Sequence, residues 1–126
     1  MNLFKKLLLI TTSLICLSFI NLTDYICGAT WYNTKGHPKV HRTHSTTAAS
    51  RYLINKLKLK VGKIQNGSMV DGSYLIVTNI SNNKIDTVEV TDVCKGTDKL
   101  DLSLQSFEKI SKKSTGRIKV KVIKLK

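Results

Sequence analysis

A chain of 126 residues is long enough for one domain around one core and too short for two. Its 21 lysines and arginines against 8 acidic residues give a net charge of +13, a field that draws polyanions such as acidic polysaccharide, an anionic cell wall or a membrane surface. No nucleic-acid motif accompanies that charge, so nucleic acid is set aside as a partner, and plain solubility is the competing explanation.

In chain order, Lys5 and Lys6 precede an apolar run from Leu7 to Ile20, the pattern of a secretory signal peptide. The run is short for a membrane span, which needs about 20 residues. Residues 1–26 are therefore expected to be a leader, with a cleavage point that no small-x-small site marks, and residues 27–126 the mature domain. The expected product is secreted to the extracellular space or cell wall, monomeric, and without membrane attachment once the leader is removed. Removing the leader also removes Cys16 and leaves Cys27 and Cys94. An even pair in an exported protein predicts one disulfide, which would close a loop of about 67 residues and contribute about 4 kcal/mol; two free thiols are the alternative.

The block GATWY at 28–32 gathers a Thr and two aromatics. Residues 33–71 hold His37, His41, His44 and the only proline, Pro38, with no acidic residue before Asp71. Pro38 and the polar setting favour a loop over a metal cluster, and neither metal nor cofactor is expected. Lys56 to Val61 alternates lysine with apolar residues, predicting a half-buried strand. Residues 74–79 and 85–92 alternate on either side of SNNK, a β-hairpin signal in which Thr87, Glu89 and Thr91 share one face and Val88, Val90 and Asp92 or its neighbour the other. Ser103 is a candidate N-cap for a helix carrying Leu104, Phe107 and Ile110, with Lys112 and Lys113 at its end and Gly116 turning the chain onward. Ile118, Val120 and Val122 then alternate with lysines in a closing strand whose cations protect an edge. Asn21, Asn66 and Asn79 head N-x-S/T sequons, relevant only in a eukaryotic host.

Two blocks concentrate the site chemistry: GATWY at 28–32 and VTDVCKGTDKLDLSLQSF at 90–107. They resemble the first domain of expansins, a six-stranded double-psi β-barrel shared with rare lipoprotein A and family 45 endoglucanases, also called barwin-like. GRIKVKVI at 116–123 resembles the closing strand of that family, so that the likeness covers roughly 28–32 and 72–123. The fold expected is therefore mainly β, one six-stranded double-psi barrel with one or more short helices. The sequence departs from the family pattern at Lys95, where a proline is usual, and at Leu100, where a histidine is usual. The second, carbohydrate-binding domain of expansins has no counterpart in these 126 residues.

The resemblance implies an open groove lined by Thr30, Trp31, Tyr32, Asp92 and Asp101, in which aromatic planes stack on sugar C–H faces and carboxylates accept hydroxyl hydrogen bonds. Asp101, between Leu100 and Leu102, is also a candidate general acid, because apolar flanks favour the protonated form. Otherwise Asp101 caps the helix and Trp31 is core. Hydrolysis by inversion asks for two carboxyl groups roughly 6.5–9.5 Å apart. The related endoglucanases place their base just after the first block, where this chain has Asn33 and Thr34. The leading expectation is thus a secreted single-domain barrel that binds cell-wall or extracellular polysaccharide, preferably anionic, without hydrolysis. A protein-binding barrel, either an inhibitor of cysteine proteases or a secreted effector, is the second. A glycan-cleaving lytic enzyme of the rare lipoprotein A kind, using a histidine with an aspartate, is the third.

Overall fold

The computed structural model describes residues 24–35 and 42–126; the apolar run expected to be a leader, Cys16, Asn21, His37, Pro38 and His41 lie outside the described residues. The elements in chain order are β1 (Tyr25–Tyr32), β2 (Thr46–Ser50), helix α1 (Arg51–Leu57), the short strands β3 (Lys63–Gln65) and β4 (Ser68–Val70), β5 (Tyr74–Asn79), β6 (Ile85–Cys94), β7 (Lys99–Ser103), helix α2 (Leu104–Ile110), a 3-10 turn (Lys113–Thr115) and β8 (Ile118–Lys124). Six strands close into a barrel in the order β1-β7-β2-β6-β5-β8, while β3 and β4 form a separate ribbon. Two neighbouring pairs are parallel, β1 with β7 and β2 with β6, and the rest are antiparallel. This is the mainly β, six-stranded barrel with short helices that the sequence predicts. Its first strand starts at Tyr25, two residues ahead of the expected domain start at 27.

The barrel closes because its strands are apolar at every second position, so that Ala29, Leu75, Val77, Val88, Val90, Leu100, Leu102, Val120 and Val122 all lose their contact with water. Each fully buried aliphatic side chain of this kind contributes about 1.5–3 kcal/mol. Helix α2 packs against β6 and β7 and adds Phe107 and Ile110 to the same core. It starts where the N-cap signal lies: the Ser103 hydroxyl accepts a hydrogen bond from the Ser106 N–H. Gly116, at φ 72°, takes the left-handed turn that leads into β8. Among the described residues no helix is long and apolar enough to cross a membrane.

The expected strand over 56–61 is not formed. Ser50 caps a helix instead, its side chain accepting from the Leu53 N–H, and α1 runs to Leu57 with Leu53 and Ile54 buried. Lys58 ends it in the left-handed conformation (φ 53°), and both its N–H and that of Leu59 turn back to the Ile54 carbonyl. Only Lys56 and Leu57 of the alternating run are helical, and 58–61 leave the helix as neither helix nor strand. The apolar pair Leu53–Ile54 and the serine cap decide for the helix, after which Leu59 is buried as the chain leaves it.

The β5–β6 hairpin forms as predicted, with Tyr74 opposite Glu89 and Thr78 opposite Ile85. Asn79 at its turn is only 2 % exposed and its amide donates to the Ile110 carbonyl at 2.8 Å, so this sequon is structural. Asn66 sits with Gly67 at the tip of the β3–β4 ribbon, both at positive φ, as a two-residue hairpin turn requires.

The predicted Cys27–Cys94 disulfide is absent, and both residues are free cysteines. Cys27 lies on the core side of β1, where burial above all pushes its thiol up to about 12. Cys94 ends β6 with its thiol facing the Lys99 carbonyl at 3.9 Å. Disulfide exchange proceeds through the thiolate, which burial disfavours at Cys27.

Candidate functional site: a row across four strands

Along β1 the side chains alternate, Cys27 and Ala29 facing the core and Gly28, Thr30 and Tyr32 the outside. The register carries that outer face across the barrel. Thr30 stands opposite Asp101 on β7, Asp101 opposite Ala48 on β2, and Ala48 opposite Asp92 on β6. Four neighbouring strands thus present Thr30, Asp101, Ala48 and Asp92 in one row. With strands about 4.8 Å apart, the two aspartate backbones stand roughly 10 Å apart, and the Ala48 methyl forms the floor between them.

Asp92 joins this row because of a β-bulge. The β2–β6 register runs Thr47 opposite Val90 and then Ala48 opposite Asp92, leaving Thr91 as the extra residue. Without the extra residue Asp92 would share the inward face of Val88 and Val90, the grouping that the plain alternation predicts. The bulge turns it outward, and it is exposed.

The polar atoms of the row are ordered. The Thr30 hydroxyl donates to the Asp101 carboxylate at 2.8 Å, and the Thr47 hydroxyl lies 3.1 Å from the Asp101 carbonyl. The Asp92 carboxylate accepts from the Val93 N–H at 2.7 Å. The Tyr32 hydroxyl lies 3.2 Å from that of Thr46. Burial raises the pKa of the Tyr32 hydroxyl, the Thr46 contact pulls it back, and the negative charges of Asp92 and Asp101 raise it further. Both aspartates therefore act on one tyrosine. A cavity of about 540 Å³ opens beside Thr30, over Gly28 and between Lys99 and Lys119.

Four of the five expected groove residues thus come together: Thr30, Tyr32, Asp92 and Asp101. Trp31 does not join them. It alternates to the other side of β1, packs against the core, donates its indole N–H to the Lys113 carbonyl at 3.2 Å and lies under the Lys113 ammonium at 5.1 Å. Asp101 does not cap α2, since Ser103 does.

A second carboxylate cluster went unread in the sequence. Glu89 is fully buried, with both oxygens engaged: Arg42 donates to each, at 2.9 and 3.1 Å, His44 lies 2.7 Å from one, and the Gly72 N–H donates to the other at 2.7 Å. Burial alone would raise its pKa, but the Arg42, Gly72 and His44 hydrogen bonds outweigh that and hold it below the ordinary glutamate value. His44, one of the three histidines weighed as a metal ligand, is committed to this carboxylate, and among the described residues no group of three His, Cys, Asp or Glu side chains is placed to hold a metal. The cluster ties 42–45 and 70–72 to the outside of β6, and Gly62 and Gly72 are its sequence trace. A side chain at Gly72 would meet the Val90 carbonyl at 2.0 Å, and one at Gly62 the Glu89 carboxylate at 2.4 Å.

Comparison with known proteins gives the fold. No known family model and no curated protein sequence matches the chain. Two crystal structures of an expansin from Clavibacter michiganensis superpose on it, a point mutant in complex with cellohexaose at a TM-score of 0.61 and the apo protein at 0.58. Both are 18 % identical to the chain and cover 82 % of it, while the chain spans 51 % of the expansin. The barrel is thus an expansin-like double-psi fold, occupying about half the length of the relative.

Proposed function

We propose that the protein is an exported polysaccharide-binding barrel that holds a glycan chain in the outer groove without cleaving it. The observation that supports this reading is the Thr30–Asp101–Ala48–Asp92 row with Tyr32 beside it. Among the described residues each of its two carboxylates has one hydrogen-bond donor, which leaves acceptor positions that suit sugar hydroxyls. Ala48 keeps the floor low enough for a ring to approach, and Tyr32 adds an aromatic plane with a polar tip. The expansin of the same fold binds cellohexaose, and the row gives this chain the means to bind a related polymer. Export rests on the leader pattern at Lys5–Ile20.

In binding, Thr30 holds the Asp101 carboxylate in place, so that its second oxygen and the Asp92 carboxylate receive hydroxyl protons from successive positions along the chain. No proton needs to leave either group and no glycosidic bond breaks. The test is depletion of the protein by insoluble cellulose, chitin, pectin and peptidoglycan, at low and high salt, with reducing ends assayed in the same tubes. Salt-resistant depletion that Asp101→Ala and Tyr32→Ala abolish, with no reducing ends released, is the expected outcome. Reducing ends that vanish with Asp101→Asn would replace this reading with a lytic one.

A further inference from the structure

Two residues along the strands from the aspartate row lies a second row of opposite sign. Gly28 on β1 stands opposite Lys99 on β7 and, on its other side, opposite Lys119 on β8. Directly opposite residues share a face, and this is the outer face that carries Thr30 and Asp101. Two lysines therefore flank a bare backbone, their Cα atoms roughly 10 Å apart across three strands, about 7 Å along the groove from the acidic row.

Three features make this more than a scatter of surface charge. A Cβ placed on Gly28 would meet no atom within 4 Å, so the space above the glycine is open to a ligand group. The Lys99 stem packs on Gly96, whose φ of 114° suits glycine, and the loop before it is pinned by Ser50, which donates to the Thr97 carbonyl and accepts from the Lys99 N–H, each at 3.3 Å. Arg117 completes the lining, and among the described residues Lys99, Arg117 and Lys119 form no ion pair. The one carboxylate in the cavity, Asp98, already accepts from the Tyr25 hydroxyl at 3.0 Å, leaving three cations against one anion.

We infer that the Lys99–Gly28–Lys119 row is an anion subsite of the groove, taking a carboxylate or phosphate substituent of the same glycan whose hydroxyls the aspartate row engages. The inference rests on the groove reading above and narrows it to an anionic polysaccharide. The glycine lets the substituent descend between two ammonium groups, where charge-assisted hydrogen bonds from both sides are available. The acidic row next to it repels the same substituent, so that one end of the groove takes neutral and the other charged units. The two rows thus set the register of a polymer that alternates or carries spaced anions.

The experiment is calorimetric titration of the mature protein with three oligosaccharides of equal length: a neutral gluco-oligosaccharide, a fully carboxylated galacturonate and a phosphorylated gluco-oligosaccharide. The expected result is at least about tenfold tighter binding of one anionic ligand than of the neutral one, which also identifies the substituent. Lys99→Gln/Lys119→Gln should remove that preference and keep neutral binding, whereas Lys56→Gln/Lys84→Gln, an equal charge loss on remote exposed lysines, should preserve it. Melting temperatures confirm that both variants are folded. Equal loss in the two double variants would overturn the inference in favour of a diffuse field. Neutral binding without any anionic preference would overturn it and leave the groove standing, and no binding of any oligosaccharide would sink both.

Discussion

Glu89 and Asp101 are both carboxylates on adjoining parts of one barrel, and they have opposite fates. Glu89 is closed off from water with Arg42, His44 and Gly72 on its two oxygens. Asp101 is half-buried, and among the described residues its carboxylate has one side-chain partner, Thr30. A saturated carboxylate has no capacity left for a ligand and serves to fix the chain around it. An unsaturated one, set on a rigid strand beside an open floor, is available to an incoming hydroxyl. Burial and satisfaction, not residue type, separate the acidic residue that fixes the fold from the one proposed to bind.

The sharpest way to break that contrast is to exchange the two losses. Glu89→Ala leaves the Arg42 guanidinium buried without its partner and should cost about 3–5 kcal/mol, read from the denaturant midpoint. Asp101→Asn should change stability by less than about 1 kcal/mol while abolishing polysaccharide depletion. A stable Glu89→Ala protein, or an unfolded Asp101→Asn one, would reverse the assignment.

Acid sharpens the same point. With its folded pKa held below the ordinary glutamate value, Glu89 contributes stability that is complete above that ordinary value and is lost as pH falls through the lowered one. The stability gap between wild type and Glu89→Gln should accordingly be widest near neutral pH and close in acid, as thermal melts across pH would show.

The two kinds of glycine make a third comparison. Gly72→Ala puts a methyl 2.0 Å from the Val90 carbonyl and should destabilise by about 1–3 kcal/mol. Gly28→Ala meets nothing, and should leave melting within a degree or two while weakening anionic oligosaccharide binding. Trp31→Phe, on the other side of β1, removes the indole hydrogen bond to the Lys113 carbonyl at a cost of about 1 kcal/mol and should leave glycan depletion unaltered.

What the sequence makes legible here is what local periodicity and capping encode. The β5–β6 hairpin, the Ser103 cap with Phe107 and Ile110 behind it, and the alternation of the closing strand all follow from residues a few positions apart, although that strand is paired on both sides and its lysines guard no edge. The two short blocks do come together in the barrel as a row of Thr30, Asp101 and Asp92, although strand alternation puts Trp31 on the other side of β1. Hidden were features set by distant partners. Glu89 reads as the solvent side of a strand until Arg42, 47 residues away, and Gly72, 17 away, close over it. The bulge at Thr47/Ala48 that turns Asp92 outward leaves no mark in the β6 pattern, because it depends on how β2 lies beside it. Lys56–Val61 alternates like a strand, but the helix capped at Ser50 and anchored by Leu53 and Ile54 takes Lys56 and Leu57, and Lys58 ends it in the left-handed conformation. The even cysteine count predicted a bond that two differently placed thiols do not make.

The most direct measurement is an amide NMR titration of the protein with a soluble neutral oligosaccharide. The expected result is saturable shifts concentrated at Thr30, Ala48, Asp92 and Asp101, fading toward Glu89 and absent around Lys113. Shifts gathered on the other side of the barrel, near Lys58 and Tyr74, or no saturable shift at all, would contradict the assignment of the four-strand row as the glycan site.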